Sequence, residues 1–342
     1  MLTSQSCRNA AAALLGVALA VFGLTARAEI EPQNASFTLM EENDAFAGPD
    51  RHYTQGIKLS YFHAEGHLPF GLSKVVDWLP EWGFRESVGR VGYDVGQMFY
   101  TPGDKLTATV VTNDRPYAGW LYAGLILQRR GIGWWEKPML ESLELELGVV
   151  GPWSLAQETQ DFGHKILKFG NAQGWANQLP NEPGLLLKYS RWLRLPVARA
   201  AFFESDFIPH GGVSLGNINT SLRLGGMWRV GVRLPDDFGT QNIESLQTAA
   251  GSYPRNGRPG WGGYVFAGAE GRAVAYNEFL DGSVFHTSHS VAKEAFVGDF
   301  QCGAVLVLHH VEIGYLHTFR SKEFVKQTTD DSFGSIYFRV RF

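Results

Sequence analysis

The chain has 342 residues and a formal net charge of −4, with 30 Lys and Arg spread among 34 Asp and Glu. No basic block or stripe is present, which excludes nucleic acid as the expected partner. Past the first thirty residues no stretch of 18 consecutive apolar positions occurs, which excludes a helical membrane span. An aromatic share of 13% with 40 glycines suits strands whose rings sit at a membrane interface.

In chain order, the first segment reads as an export signal. Arg8 supplies a positive charge, Ala10 to Leu24 form a short apolar stretch, and Ala26-Arg27-Ala28 fits the small-x-small cleavage rule. Residues 1–28 are therefore expected to be removed, leaving a β domain over 29–342 with a net charge of about −6. Cys302 would then be the one cysteine left, too few for an internal disulfide.

Period-two runs of about ten residues, separated by Gly, Pro, Asn and Asp clusters, follow. They predict strands at 36–44, 53–63, 88–100, 117–130, 140–151, 184–195, 199–214, 220–234, 262–277, 296–308, 310–321 and 333–342. The last is the clearest: Ile336, Phe338, Val340 and Phe342 share one face, and Tyr337, Arg339 and Arg341 the other. Arginines on one face and apolar residues on the other suit a polar lumen and a lipid-facing exterior. The expected fold is all-β, a 12-stranded antiparallel transmembrane β-barrel in the outer membrane, with a short helix in an extracellular loop.

With both chain ends periplasmic, the connections 42–52, 101–116 and 152–183 meet at the extracellular rim. Two long connections, 64–87 and 235–261, would fall on the periplasmic side, where turns are usually short. Within 152–183, Gln160 and His164 are four apart, so a helix sets them on one face. A neutral imidazole can take a proton from water near neutral pH. In the first outer loop, Glu41-Glu42-Asn43-Asp44 and Asp50-Arg51-His52-Tyr53-Thr54 cluster hard oxygen donors of the kind Ca²⁺ takes, although without EF-hand spacing. Zinc has no H-E-x-x-H or paired C-x-x-C to hold it. Ser288 and His289 adjoin, which does not set a hydroxyl against an imidazole.

Several motifs in order carry a family resemblance. Glu42-Asn43-Asp44-x-Phe46, Asp50-Arg51-x-Tyr53-Thr54-x-Gly56, Gly96-Gln97-x-x-Tyr100-Thr101-Pro102 and Asp114-Arg115-Pro116-Tyr117-Ala118-Gly119 come first. Gly148-Val149-Val150-Gly151-Pro152, Gln157-x-x-Gln160-x-x-x-His164 and Gly174-Trp175-x-x-Gln178 complete the series. Together they resemble the LpxR family of outer-membrane lipid A deacylases. The resemblance implies a 12-stranded barrel that hydrolyses the 3′-linked acyloxyacyl group of lipid A in lipopolysaccharide, with a histidine activating water and Ca²⁺ stabilising the oxyanion. It implies catalytic roles for His164, Gln160 and Asn43, metal contacts from Asp44 and Thr54, and substrate contacts from Lys105 and Arg115. Where some members carry a Glu and a Tyr after the histidine, this chain has Gly170 and Ala172. A phospholipase or other esterase, and a non-enzymatic channel or adhesin, are the alternative expectations.

Overall fold

The computed structural model describes residues 33–46, 52–67, 69, 83–167, 170–200, 202–240, 243 and 260–342. The expected export signal lies outside the described residues, as do Asp50, Arg51 and most of the connections 64–87 and 235–261. The strands are β1 (Ser36–Asn43), β2 (His52–Phe62), β3 (Glu86–Thr101), β4 (Ala118–Ile132), β5 (Pro138–Val150), β6 (Glu182–Leu193) and β7 (Leu195–Arg199). They continue as β8 (Glu204–Gly216), β9 (Asn219–Val232), β10 (Trp261–Asn277), β11 (Phe296–Leu308), β12 (Val311–Arg320) and β13 (Asp331–Arg341). Among the described residues there are two α-helices, α1 (Ala156–Leu167) and a single turn, α2 (Glu278–Asp281).

Apart from β6 and β7, which do not pair with each other, each strand pairs antiparallel with its sequence neighbours; β1 pairs with β13, and β6 with β8, so the sheet closes. β7 extends β6 rather than adding a wall position. The register Trp192↔His210 in β6–β8 carries on as Leu195↔Phe207 in β7–β8, with Arg194 the interruption. The barrel is thus 12-stranded, as expected. The expected start of the seventh strand at 199 shifts: Arg199 belongs to the outgoing strand, and the turn falls before Glu204.

Side-chain alternation explains why the chain closes this way. On β13, Tyr337, Arg339 and Arg341 are buried inside while Ile336 and Phe338 are exposed outside. The inward charges pair with one another: Lys58 bonds Asp94 at 2.6 Å and Glu144 at 3.1 Å, Arg320 bonds Asp299 at 3.0 Å, and Arg339 bonds Glu312 at 3.0 Å. Removing one partner of such a buried pair costs about 3–5 kcal/mol, so these networks hold the wall strands in register.

One rim carries both chain ends of the sheet and the turns 133–137, 200–203 and 309–310. The other, the outer rim, carries 102–117, 151–181 and 278–295. The long connection after β9 has a structural reason. Its described part turns into the lumen: Asp237 pairs with Arg229, Phe238 packs with Leu140, Trp192 and Ile208, and the Ile243 N–H donates to Glu42 Oε1 at 3.0 Å. At the outer end, α2 lays Phe279 on Tyr100 with ring centroids 4.5 Å apart. Chain and side chains occupy these stretches of the bore.

Candidate active site

The outer-rim segment after β5 builds the site. Gly151 takes φ 85°, a left-handed conformation suited to glycine, and a Cβ there would meet Pro180 at 2.6 Å. The chain then turns outward through a short 3₁₀ segment, Pro152–Ser154, which touches β5 and β4. α1 follows and touches β4 and β3, so it crosses the wall in the direction of β1. Glu158 in its first turn and Lys165 in its last suit the helix dipole.

α1 lies on the outside of the barrel. On β3 and β4 the inward set includes Asp94, Met98, Tyr100, Trp120 and Tyr122, so Gln97, Phe99 and Gly119 belong to the exterior. Those exterior positions are nonetheless covered. Gln97 Nε2 donates to the Ser154 carbonyl at 2.6 Å, and Phe99 meets Trp175 with centroids 6.2 Å apart. A Cβ on Gly119 would sit 2.1 Å from Ser154 Oγ and 2.4 Å from Ala156 Cβ, so glycine is what lets the helix approach. Ala156, Gln160 and His164 form the buried, wall-facing side of α1. Trp175 Nε1 donates to Gln160 Oε1 at 2.7 Å, and Gln160 Nε2 is buried with no hydrogen-bond partner among the described residues.

The strand side of the site is made at the same height. Asn43 pairs with Gln55, Gln55 with Phe99, and Phe99 with Gly119, one row across the outer face of β1 to β4. The ladder between β2 and β3 slips between Tyr53 and Gln55, and Thr54 is the extra residue. Its hydroxyl meets that of Thr101 at 2.8 Å. Asp44 is buried at the start of a 3₁₀ turn, Asp44–Phe46, directly after Asn43. Strand spacing puts Asn43 about 14 Å from Gly119 across the wall. From Ala156, above Gly119, α1 rises about 12 Å to His164. The histidine therefore has the reach to stand near the Asn43 and Thr54 strand ends.

Lys105 and Arg115 part company. The Lys105 carbonyl accepts from the Gln173 N–H at 2.8 Å, which ties its loop to the segment following α1. Arg115 turns inward instead: its guanidinium bonds Glu323 at 3.1 Å and stacks over Tyr100. His52 is the residue that sequence reading passed over. Its Nδ1 bonds Asp331 at 2.7 Å and its Nε2 lies 3.4 Å from Asp114, joining three parts of the outer rim. Burial works to raise the Asp114 carboxyl, but bonds from His52 and from the Gly103 and Arg115 N–H groups hold it below its ordinary value.

The oxygen donors Asp44, Asn43 and Thr54 are chemically suited to a hard cation. A second acidic group, Asp94, Glu144 and Glu146, lies in the lumen, where Lys58 and Lys188 pair with it and supply the counter-charge. Gly212-Val213-Ser214-Leu215-Gly216 has the spacing of a serine nucleophile elbow. It is mid-ladder strand, with Ser214 opposite Lys188 and Ser221, and no helix follows. The sharp turn that activates such a serine is missing.

Fold and site together define an outer-membrane β-barrel protein with a loop helix packed on its outer wall. The family profile described as "Outer membrane protein LpxR" matches residues 11–342, and the chain belongs to that family. The solved structure of LpxR from Salmonella typhimurium superposes with a TM-score of 0.69 at 21% identity, covering 90% of this chain and 100% of that one. The beta domain of the Bordetella autotransporter BrkA reaches a TM-score of 0.44 at 8% identity, over 90% of this chain and 99% of that one. No curated protein matches the chain.

Proposed function

We propose that this LpxR-family barrel is a lipid A 3′-O-deacylase, which hydrolyses the 3′-linked acyloxyacyl ester in the outer leaflet by direct attack of water. His164 accepts a proton from the water as its oxygen bonds to the ester carbonyl carbon. The same imidazole then returns a proton to the departing sugar oxygen, so the base is regenerated and no covalent acyl-enzyme forms. Gln160, its carbonyl held by Trp175, would donate its side-chain N–H to the bound ester. Asn43 orients the ester from the strand side. Asp44 and Thr54 would hold Ca²⁺, which when bound supplies positive charge for the oxyanion. Lys105 is the cation offered to a lipid A phosphate. Arg115, engaged with Glu323, supports the loop from inside.

The observation that carries this reading is the wall-facing cluster of Gln160 and His164 outside the barrel, on the rim that also bears Asn43, Asp44 and Thr54. A lipid ester arriving from the leaflet meets the exterior, not the bore. The filled lumen disfavours the channel alternative. Mass spectrometry of lipid A from membranes carrying the protein, with His164→Ala alongside, tests it. Loss of the 3′-linked acyl group with the wild-type chain alone is expected. An unchanged acylation pattern with folded protein and Ca²⁺ present ends the proposal.

A further inference from the structure

α1 has three sides, and two are accounted for. At about 100° per residue, Ala156, Gln160 and His164 fall within about 80° of one another and form the wall-facing side. Leu155, just ahead of the helix, with Phe162 and Ile166 forms a separate stripe about 40° wide. Glu158, Asp161 and Lys165 fill the adjoining sector, about 60° wide, with its centre about 90° round from that stripe. The apolar stripe is bare: Leu155 is 52% exposed, Phe162 67% and Ile166 62%, with Trp153 at 67% just before it. A helix with a wall behind it has one flank toward water and one toward the bilayer. Its charges belong to the first, and its bare apolar stripe to the second.

We infer that α1 is an in-plane membrane helix, whose Leu155, Phe162 and Ile166 sit among the acyl chains of the outer leaflet with Trp153 at the interface. Continuity with the barrel's own lipid-facing belt identifies the occupant. One inward–outward period from Gln97, the residue holding Ser154, the exterior of β3 carries exposed Val95, and β5 carries exposed Leu147. The stripe extends that belt outward from the wall. The cleft between α1 and the wall is thereby bounded by hydrocarbon, so a lipid can enter it sideways without leaving the leaflet. This inference concerns where the helix sits and holds whatever reaction the cleft performs.

Nitroxide labels test it directly. With Cys7 and Cys302 replaced by Ser, single cysteines are placed at Phe162→Cys, Ile166→Cys and Glu158→Cys. The full chain is reconstituted in phosphatidylethanolamine–phosphatidylglycerol vesicles, which contain no lipid A. Collision rates with oxygen and with a polar nickel chelate then report depth. Labels at 162 and 166 are expected about 5–10 Å below the headgroup level, with the label at 158 in water. Equal, water-like accessibility at all three overturns the inference. Hydrogen exchange of residues 156–167 on a Phe162→Asp, Ile166→Asp chain gives a second reading in the same vesicles. Faster exchange than in the parent is expected, and unchanged protection in a folded barrel counts against insertion.

Discussion

Two stretches of the barrel exterior, at β3–β4 and at β10–β11, are built from the same alternating chemistry and end differently. At β3–β4, Gly119 lies under Ser154 and Ala156, and Phe99 under Trp175. At β10–β11, a Cβ on Gly298 would meet nothing within 4 Å, and Phe296, Leu222 and Leu224 stand exposed around it. The first glycine admits a helix; the second leaves a shallow depression on a bare wall. Identical strand grammar thus yields a candidate reaction cleft on one side and a plain lipid contact on the other. What decides is the connection that leaves the rim, not the strand beneath it.

The sharpest break in that comparison is chemical. His164→Ala should lower lipid A deacylation about 10²–10⁴-fold, read by mass spectrometry, with the barrel's heat-modifiable gel mobility unchanged. Chelating divalent cations should cost about 10²–10³-fold, recovered on adding Ca²⁺; full activity in chelator would remove the cation from the proposal. Gly119→Leu should push α1 off the wall and reduce turnover about 10²-fold by misplacing its histidine. Gly298→Leu, the matched change on the bare wall, should leave turnover within a factor of about two. Equal effects from the two leucines would erase the contrast between the walls.

The smallest expected effect lies in the mouth of the lumen. Burial first, then a hydrogen bond and the charge of Glu182, push the Glu278 carboxyl up to about 10. A folded-state value raised above the ordinary carboxylate range means the folded chain holds a proton that the unfolded chain releases. Stability from this group is therefore present at low pH and declines as pH climbs from about 4.5 toward about 10. Glu278→Gln cannot ionise, so its melting temperature should fall less between about pH 6 and about pH 9, by about 2–4 °C for each kcal/mol. Parallel melting curves for the two chains would show that the group stays ionised.

Much of the fold was legible because alternation is a local property. Tyr337, Arg339 and Arg341 declared an interior before any partner was known. The 12 wall strands follow from such patterns, and so does the helix between β5 and β6. Its position was harder to read, since periodicity says which residues share a side and not what that side meets. A signal did exist: Gln97 and Gly119 are outward positions near the rim that do not suit lipid. The extra residue at Thr54 and the inward turn of Arg115 depend on ladder slippage and on Glu323, far away in sequence. The descent of 234–240 into the bore, with Ile243 beside Glu42, was also hidden, because a connection read as too long for a turn gives no hint of where it goes.

That descent has a consequence for the cell. With Asp237, Phe238 and Ile243 packed within the bore and Phe279 across its mouth, the barrel is expected to conduct little. Bacteria that raise its expression should keep their resistance to small hydrophilic toxicants.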